Sequence, residues 1–326
     1  MSNNPRIAHL FRPFNLVIII ATMYLLKYGL MEPMLRMIGG VVKINLESQL
    51  SPLWFGILVL SVVFIAAGGY ILNDIKDVKA DEVNGNGNPV GSLISESLAN
   101  TLYQVFTILG LILGFGIAFK IGNYNYGIIQ LTAAISLWFY SNYFKRSFLS
   151  GNLVVAFVVA LVPLTVGIYE VSLVQIKYFN AVTDYKDFNF NFLAYWFMAY
   201  SAFVFILTII REIIKDVEDE KGDRIIGAQT LAIVLGTKTT KYIVSGLLVG
   251  TIGLLVYTRL YFLVDKISSA FILVEIILLA INIVALWLEN RMLVKSSTWT
   301  KITSVIGVIY LIALGYIIDN QLFFNV

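Results

Sequence analysis

The sequence predicts an all-α integral membrane protein: nine transmembrane helices around a central cavity, with cytoplasmic loops capping its polar mouth. Three observations lead there. Of 326 residues, 59% are hydrophobic and 13% charged, against about 25% charged in a soluble domain. Nine runs approach the ~20 mainly apolar residues that a spanning helix needs: 14–34, 53–73, 98–119, 124–143, 151–171, 190–210, 239–258, 267–288 and 302–318. The third observation is an acidic pattern, D-x-x-D-x-x-x-D, which occurs twice and each time directly follows an apolar run: Asp74, Asp77, Asp81 and then Asp216, Asp219, Asp223. The whole chain, 1–326, reads as one membrane domain.

The runs justify themselves in order. Met1 to Pro13 is polar, with Arg6 and Arg12, and no small-residue cleavage site follows, so 14–34 is predicted as a span and not a cleaved signal peptide. The second run carries Gly68 and Gly69, which permit close helix packing, and ends in the first motif. Asn125, Ser141 and Asn142 dilute the fourth run, and the ninth is short. Pro163 in the fifth predicts a kink. The sixth ends in the second motif. The eighth holds Glu275, the only clearly mid-span carboxylate.

Lys and Arg in the connections set the sidedness. With the N-terminus inside, 15 of the 23 basic residues fall on inside segments, among them Arg6, Lys76, Lys79, Lys145, Arg146, Arg211, Lys215 and Arg291, whereas Lys27 and Lys186 fall outside or near it. This places both motifs on the cytoplasmic face. Four spans separate them, so they repeat in parallel, unlike transporters whose ionisable residues sit at mid-membrane between inverted repeats.

On a helix, positions i, i+3 and i+7 fall within about 60° of one another, so each acidic trio lines one face. Glu212 extends the second stripe backwards. Like charges at that spacing repel, and two such stripes suggest a bound cation. One histidine, His9, and no cysteine leave only oxygen ligands, which favour Mg²⁺, Mn²⁺ or Ca²⁺. Mg²⁺ is usually held by one or two carboxylates plus substrate phosphates, so facing stripes could grip a diphosphate. Lys145 and Arg146, with Arg211 and Lys215, could bind its remaining oxygens. A cation-bound diphosphate is the better leaving group, since the metal stabilises the charge that develops on departure. An isolated D-x-x-D is usually solvated surface; two copies inside one membrane face argue otherwise. Glu82, Glu218 and Glu220 lie off the stripes and read as solvated, and His9 reads as a surface residue. The net charge of +3 does not argue for nucleic acid.

Asn73-Asp74-x-x-Asp77-x-x-x-Asp81 resembles the first signature of the UbiA-type intramembrane prenyltransferases. The run from Arg211 to Arg224, followed by Gly227 and Thr230-Leu231, resembles the second. Arg12-Pro13-x-Asn15, Tyr140-Ser141 with Lys145-Arg146, and Gly151-Asn152 are weaker matches. The resemblance implies transfer of a prenyl group from a polyprenyl diphosphate to a lipidic or aromatic acceptor in the membrane, with Mg²⁺ as cofactor. It implies metal and diphosphate clusters at Asn73, Asp74, Asp77 and Asp81 and at Asp216, Asp219 and Asp223. Lys145 would contact the diphosphate, and Asn15 and Tyr140 would line the pocket. Asp77 or Asp81 could act as the acceptor's base. The second signature looks most like the branch that alkylates geranylgeranylglyceryl phosphate to build ether lipids; quinone-precursor and haem branches share the cavity. Two positions depart from the pattern. Asn88 stands where Arg is common, which removes a phosphate contact, and Gly85 and Gly87 loosen that loop. Ala232 replaces a common proline.

Two rival classes remain. A cation transporter predicts carboxylates deep in the spans, which only Glu275 supplies. A lipid phosphotransferase of the CDP-alcohol type predicts a D-G-x-x-A-R string, which neither motif has.

Overall fold

A computed structural model describes residues 7–84, 87–180, 190–288 and 295–321. Arg6, Gly85, Lys186 and Arg291 lie outside the described residues. Every regular element among those residues is helical: α1 Pro13–Leu25, α2 Glu32–Val42, α3 Pro52–Asn84, α4 Glu96–Lys120, α5 Gly127–Phe139, α6 Ser150–Tyr178, α7 Asn191–Glu218, α8 Glu220–Ile225, α9 Leu231–Leu235, α10 Thr237–Tyr261, α11 Lys266–Trp287 and α12 Ser296–Asp319. Eight helical segments are long and apolar enough to cross a membrane, and this is a multi-pass membrane protein.

The eight account for all the predicted runs but the fourth. There the chain forms a 3₁₀ turn at Tyr124–Tyr126, then α5, then a π turn at Tyr140–Phe144. α5 itself has 13 residues, but both turns abut it, so the helical stretch runs unbroken from Tyr124 to Phe144; its polar residues, and not its length, set it apart from the eight. The polar residues that dilute this run mark where it departs from α geometry, and Asn142 Nδ2 donates to the Trp138 carbonyl at 2.8 Å. The first span is longer than expected. A π turn at Leu26–Met31 joins α1 to α2, and the helical run Ile7–Val42 ends where Lys43 adopts φ 54°. Pro163 stands inside α6, which continues through it.

Contacts divide the chain into two compact units. The first comprises 1–20, 50–162 and 219–236. Its centre is α3, against which α4, α5 and α8 pack. The approach is close, as the glycines predict: a Cβ on Gly68 would stand 2.5 Å from Thr107 Oγ1, and one on Gly69 2.8 Å from the Leu137 side chain.

The second unit comprises 21–49, 163–218 and 237–326, with α12 packed on α2, α7, α11 and the π turn. It holds an ion pair that no sequence pattern announces. Lys27, 1% exposed, meets Glu170, fully buried, at 2.5 Å, and Glu170 Oε2 also accepts the Gln49 N–H at 3.0 Å. A pair this dry depends on such extra hydrogen bonds to offset the loss of water.

Candidate active site

The first acidic motif exists because α3 outlasts the membrane. Past Leu72 the helix turns amphipathic: Ile71, Ile75 and Val78 (i, i+4, i+7) share one face. That face packs on Leu10, Phe11, Val90, Ile94, Ala99 and Leu102. The neighbouring face carries Asn73, Asp74, Asp77 and Asp81, so the single-face expectation holds for this motif.

Each acid there has a partner. Arg12 Nη2 donates to Asp74 Oδ1 at 2.9 Å, while its guanidinium lies 5.1 Å from the Tyr70 ring centroid. Arg12 has φ 46°, a left-handed backbone that a non-glycine residue seldom adopts and that often marks a functional site. Lys145 Nζ donates to Asn73 Oδ1 at 2.8 Å and also binds Asp77 Oδ2, which accepts from Asn73 Nδ2 at 2.8 Å as well. Asn88 Nδ2 donates to Asp81 Oδ2 at 2.8 Å and to the Asp74 carbonyl at 2.9 Å; its Oδ1 accepts the Val90 N–H at 2.9 Å. Asn88 thus holds Asp81 and the end of α3, a role separate from the phosphate contact that an Arg there would make. The described part of its loop is pinned, with Gly91 at φ 85° donating its N–H to the Ile94 carbonyl at 2.8 Å.

The second motif departs from its expectation. It does not occupy one helical face, because α7 ends at Glu218 and α8 begins at Glu220, with Asp219 between them at φ −101°, ψ 6°. Five acids lie within 216–223, and their repulsion disfavours an unbroken helix. Glu218, read from sequence as solvated, accepts from Ser297 N–H at 3.0 Å and Ser297 Oγ at 2.7 Å in the first turn of α12. Glu220 pairs with Arg224 at 2.7 Å.

Asp216 is half-buried on the last turn of α7. Asp219 and Asp223 belong to the first unit, where α8 packs on α3. The Arg146 carbonyl accepts the Gln229 N–H at 2.8 Å, which fixes the chain after α8 beside the segment after α5. Burial pushes the Asp223 carboxyl up to about 6, helped by the charges of Asp219 and Asp77 and opposed by Lys145 and Arg146. Carboxylates from both motifs thus act on one another, with two cations among them.

The remaining predicted residues divide. Tyr140, in the π turn, lies within electrostatic range of Arg12. Asn15 is half-buried one turn into α1 and donates its N–H to the Arg12 carbonyl at 2.8 Å. Arg211 and Lys215 lie on α7 and both face Glu212, at 2.6 Å and 3.6 Å. His9 is exposed, as expected. Sequence reasoning did not assign Arg12 and Asn88 to the site. The first was visible only as part of the Arg12-Pro13-x-Asn15 string, and the second only as a departure from pattern.

Among the described residues, no three His, Cys, Asp or Glu side chains converge closely enough to hold a metal by themselves. The donor set is carboxylate and amide oxygen, and Asp219 and Asp77 both repel Asp223. That suits Mg²⁺, which takes one or two carboxylates and completes its shell with phosphate and water.

Fold and site together define a multi-pass helical membrane protein with paired acidic clusters at helix ends. A family model described as the UbiA prenyltransferase family matches residues 37–305, and the chain belongs to that family. It is similar to the digeranylgeranylglyceryl phosphate synthase of Saccharolobus solfataricus, 29% identical over 83% of this chain and 89% of that protein. With the synthase of the same name from Sulfolobus acidocaldarius it is 30% identical over 64% of this chain, and the match spans 66% of that relative's length, just under two thirds. A solved UbiA homologue from Archaeoglobus fulgidus, bound to DMAPP and Mg²⁺, shares the fold with a TM-score of 0.61 and 18% identity, covering 95% of this chain and 98% of that one.

Proposed function

We infer that the protein is a Mg²⁺-dependent prenyltransferase that moves a polyprenyl group from its diphosphate to a lipidic acceptor, geranylgeranylglyceryl phosphate. The observation that carries this reading is that Asp223 of the second motif lies within electrostatic range of the Asp77–Lys145 pair of the first, at the end of a spanning helix. The relatives' names support the acceptor. The A. fulgidus structure supports an allylic diphosphate donor with Mg²⁺. An aromatic quinone or haem precursor is the alternative acceptor.

In this reading Asn73, Asp74, Asp77 and Asp81, with Asp216, Asp219 and Asp223, hold Mg²⁺, which would neutralise the charge that develops on the leaving diphosphate. Lys145 stands against Asp77 and Asn73, where it can turn to a phosphate oxygen as the donor arrives. Arg12 would do the same from Asp74, with Arg211 and Lys215 as further diphosphate contacts. The C–O bond of the donor breaks, and its electron pair leaves with the diphosphate. The acceptor oxygen then bonds to the allylic carbon, and its proton passes to Asp77 or Asp81. Asn15 and Tyr140 would line the pocket, and the prenyl tail would lie in a central cavity of the bundle, open to lipid. The active site would face the cytoplasm from the cell membrane, and 1–326 would work as one domain, since the family match crosses both units.

The test is prenyl transfer by purified protein in nanodiscs, with geranylgeranyl diphosphate, Mg²⁺ and competing glycerophosphate and aromatic acceptors, read by mass spectrometry. A Mg²⁺-dependent product is expected, lost on chelation and lost in Asp74→Ala and Asp216→Ala, and its mass names the acceptor. Absence of both product and Mg²⁺-dependent diphosphate binding would refute the reading.

A further inference from the structure

Beside the Asp77–Lys145 pair lies a cavity of about 260 Å³, lined by Lys76 and Asp77 from α3 and by Ser141, Tyr143, Lys145 and Arg146 from the π turn and the residues after it. Three of these are cations and one is an acid. Lys145 is committed to Asp77 and Asn73. The other two are not: neither the Lys76 ammonium nor the Arg146 guanidinium forms an ion pair or a hydrogen bond among the described residues. The hydroxyl of Ser141 is a third unspent group. The residue is 7% exposed, and its Oγ has no hydrogen-bond partner among the described residues. Burying a hydroxyl unpaired is unfavourable, so a buried Ser141 beside two uncommitted cations points to a ligand that all three can hold.

We propose that this cavity is an anion subsite that binds the phosphate monoester of the lipid acceptor, with Lys76 and Arg146 supplying the charge and Ser141 Oγ a hydrogen bond. The proposal rests on the prenyl-transfer reading and deepens it by assigning the acceptor's head. A phosphate monoester carries about −1.5 to −2 at neutral pH and offers three strong acceptor oxygens, which matches two cations and a hydroxyl donor. A neutral aromatic acceptor would leave both cations and the hydroxyl unused, and a site built with polar groups discriminates against a ligand that cannot pair them. The donor's diphosphate has its own claim on the Asp77 side through Mg²⁺ and Lys145. A second phosphate close by needs separate positive charge to offset repulsion between the two anions, and Lys76 and Arg146 provide it.

Steady-state kinetics of the full chain in nanodiscs tests this, with geranylgeranyl diphosphate, Mg²⁺ and either geranylgeranylglyceryl phosphate or its dephosphorylated alcohol. The wild type should use the phosphate acceptor with a kcat/KM at least about tenfold higher than the alcohol. Lys76→Ala and Ser141→Ala should each raise the phosphate acceptor's KM about tenfold and shrink that preference, with donor KM moving less than about twofold. Lys76→Arg should hold the acceptor KM within about threefold of wild type, a rescue that a folding defect would not show. A parallel rise in donor KM would assign the cavity to the diphosphate and overturn the proposal, as would an unchanged acceptor KM in both alanine variants.

If the wild type transfers no prenyl group to any acceptor, the catalytic reading fails and the subsite is judged on binding alone. Glycerol phosphate should then raise the melting temperature of the Mg²⁺-free wild type and leave Lys76→Ala unmoved. No shift in the wild type would sink the subsite, and an equal shift with inorganic phosphate would make it a free-phosphate site and not an acceptor site.

Discussion

The first acidic motif lies on one uninterrupted helix and the second is split at Asp219, although both read D-x-x-D-x-x-x-D. What differs is the company each keeps. Around the first, Ile71, Ile75 and Val78 bury a continuous apolar stripe, and Arg12, Lys145 and Asn88 each hold an acid. Packing on one face and pairing on the other stabilise a helix whose acids alone would disfavour it. Around the second, five acids crowd into eight residues, and Glu218 is drawn to another helix. Spacing thus fixes which residues can share a face; packing and pairing decide whether the helix that would present them survives.

The comparison can be broken by mutation. Asp77→Ala removes an acid held from two sides on a rigid helix, and kcat/KM should fall by about 10³-fold or more, the size of effect seen when a preorganised group at the reacting charge is lost. Asp219→Ala removes an exposed acid at a helix break and should cost nearer tenfold. Equal losses would show that the two motifs are equivalent in function despite their different support. Asn88 sharpens the same contrast. Asn88→Ala should lower kcat/KM by about tenfold and raise the Mg²⁺ concentration needed for half activity, since a hydrogen bond to a charged group contributes about 1.5–3 kcal/mol. Asn88→Asp, nearly the same shape, should be the more damaging, because it sets a like charge against Asp81. An Asn88→Asp variant as active as wild type would remove Asn88 from the site.

Much of this was legible in the sequence, for definable reasons. Eight of the nine predicted runs fall on helices fit to span, because apolar length is a local property. The first motif's face follows from helical period alone. The pairings were not legible, because they are long-range. Lys27 and Glu170 lie 143 positions apart, and Lys27 read as a residue outside or near the outer surface. Arg12 and Asp74 lie 62 apart. Asn88 was closer, seven residues after Asp81, yet its amide meets that carboxylate only because the loop folds back on α3, which spacing alone does not show. The break at Asp219 was also hidden, since the partner that draws Glu218 away is in α12.

Glu218 offers the smallest and most separable effect. The first N–H groups of a helix have no partner within it, and a carboxylate there both satisfies them and favours the dipole. Glu218 does this for α12 from α7 through Ser297. Glu218→Ala should destabilise the protein by about 1–2 kcal/mol, the usual loss for a capping contact, measured as a lower melting temperature in detergent. Glu218→Gln keeps one carbonyl acceptor and should recover roughly half of that. Because its side chain points to α12 and not to the acids of the motif, donor KM should change less than about twofold in both variants. A Glu218→Ala protein that melts like the wild type but loses donor affinity would move Glu218 from the scaffold into the site, and would make the break at Asp219 part of the binding machinery.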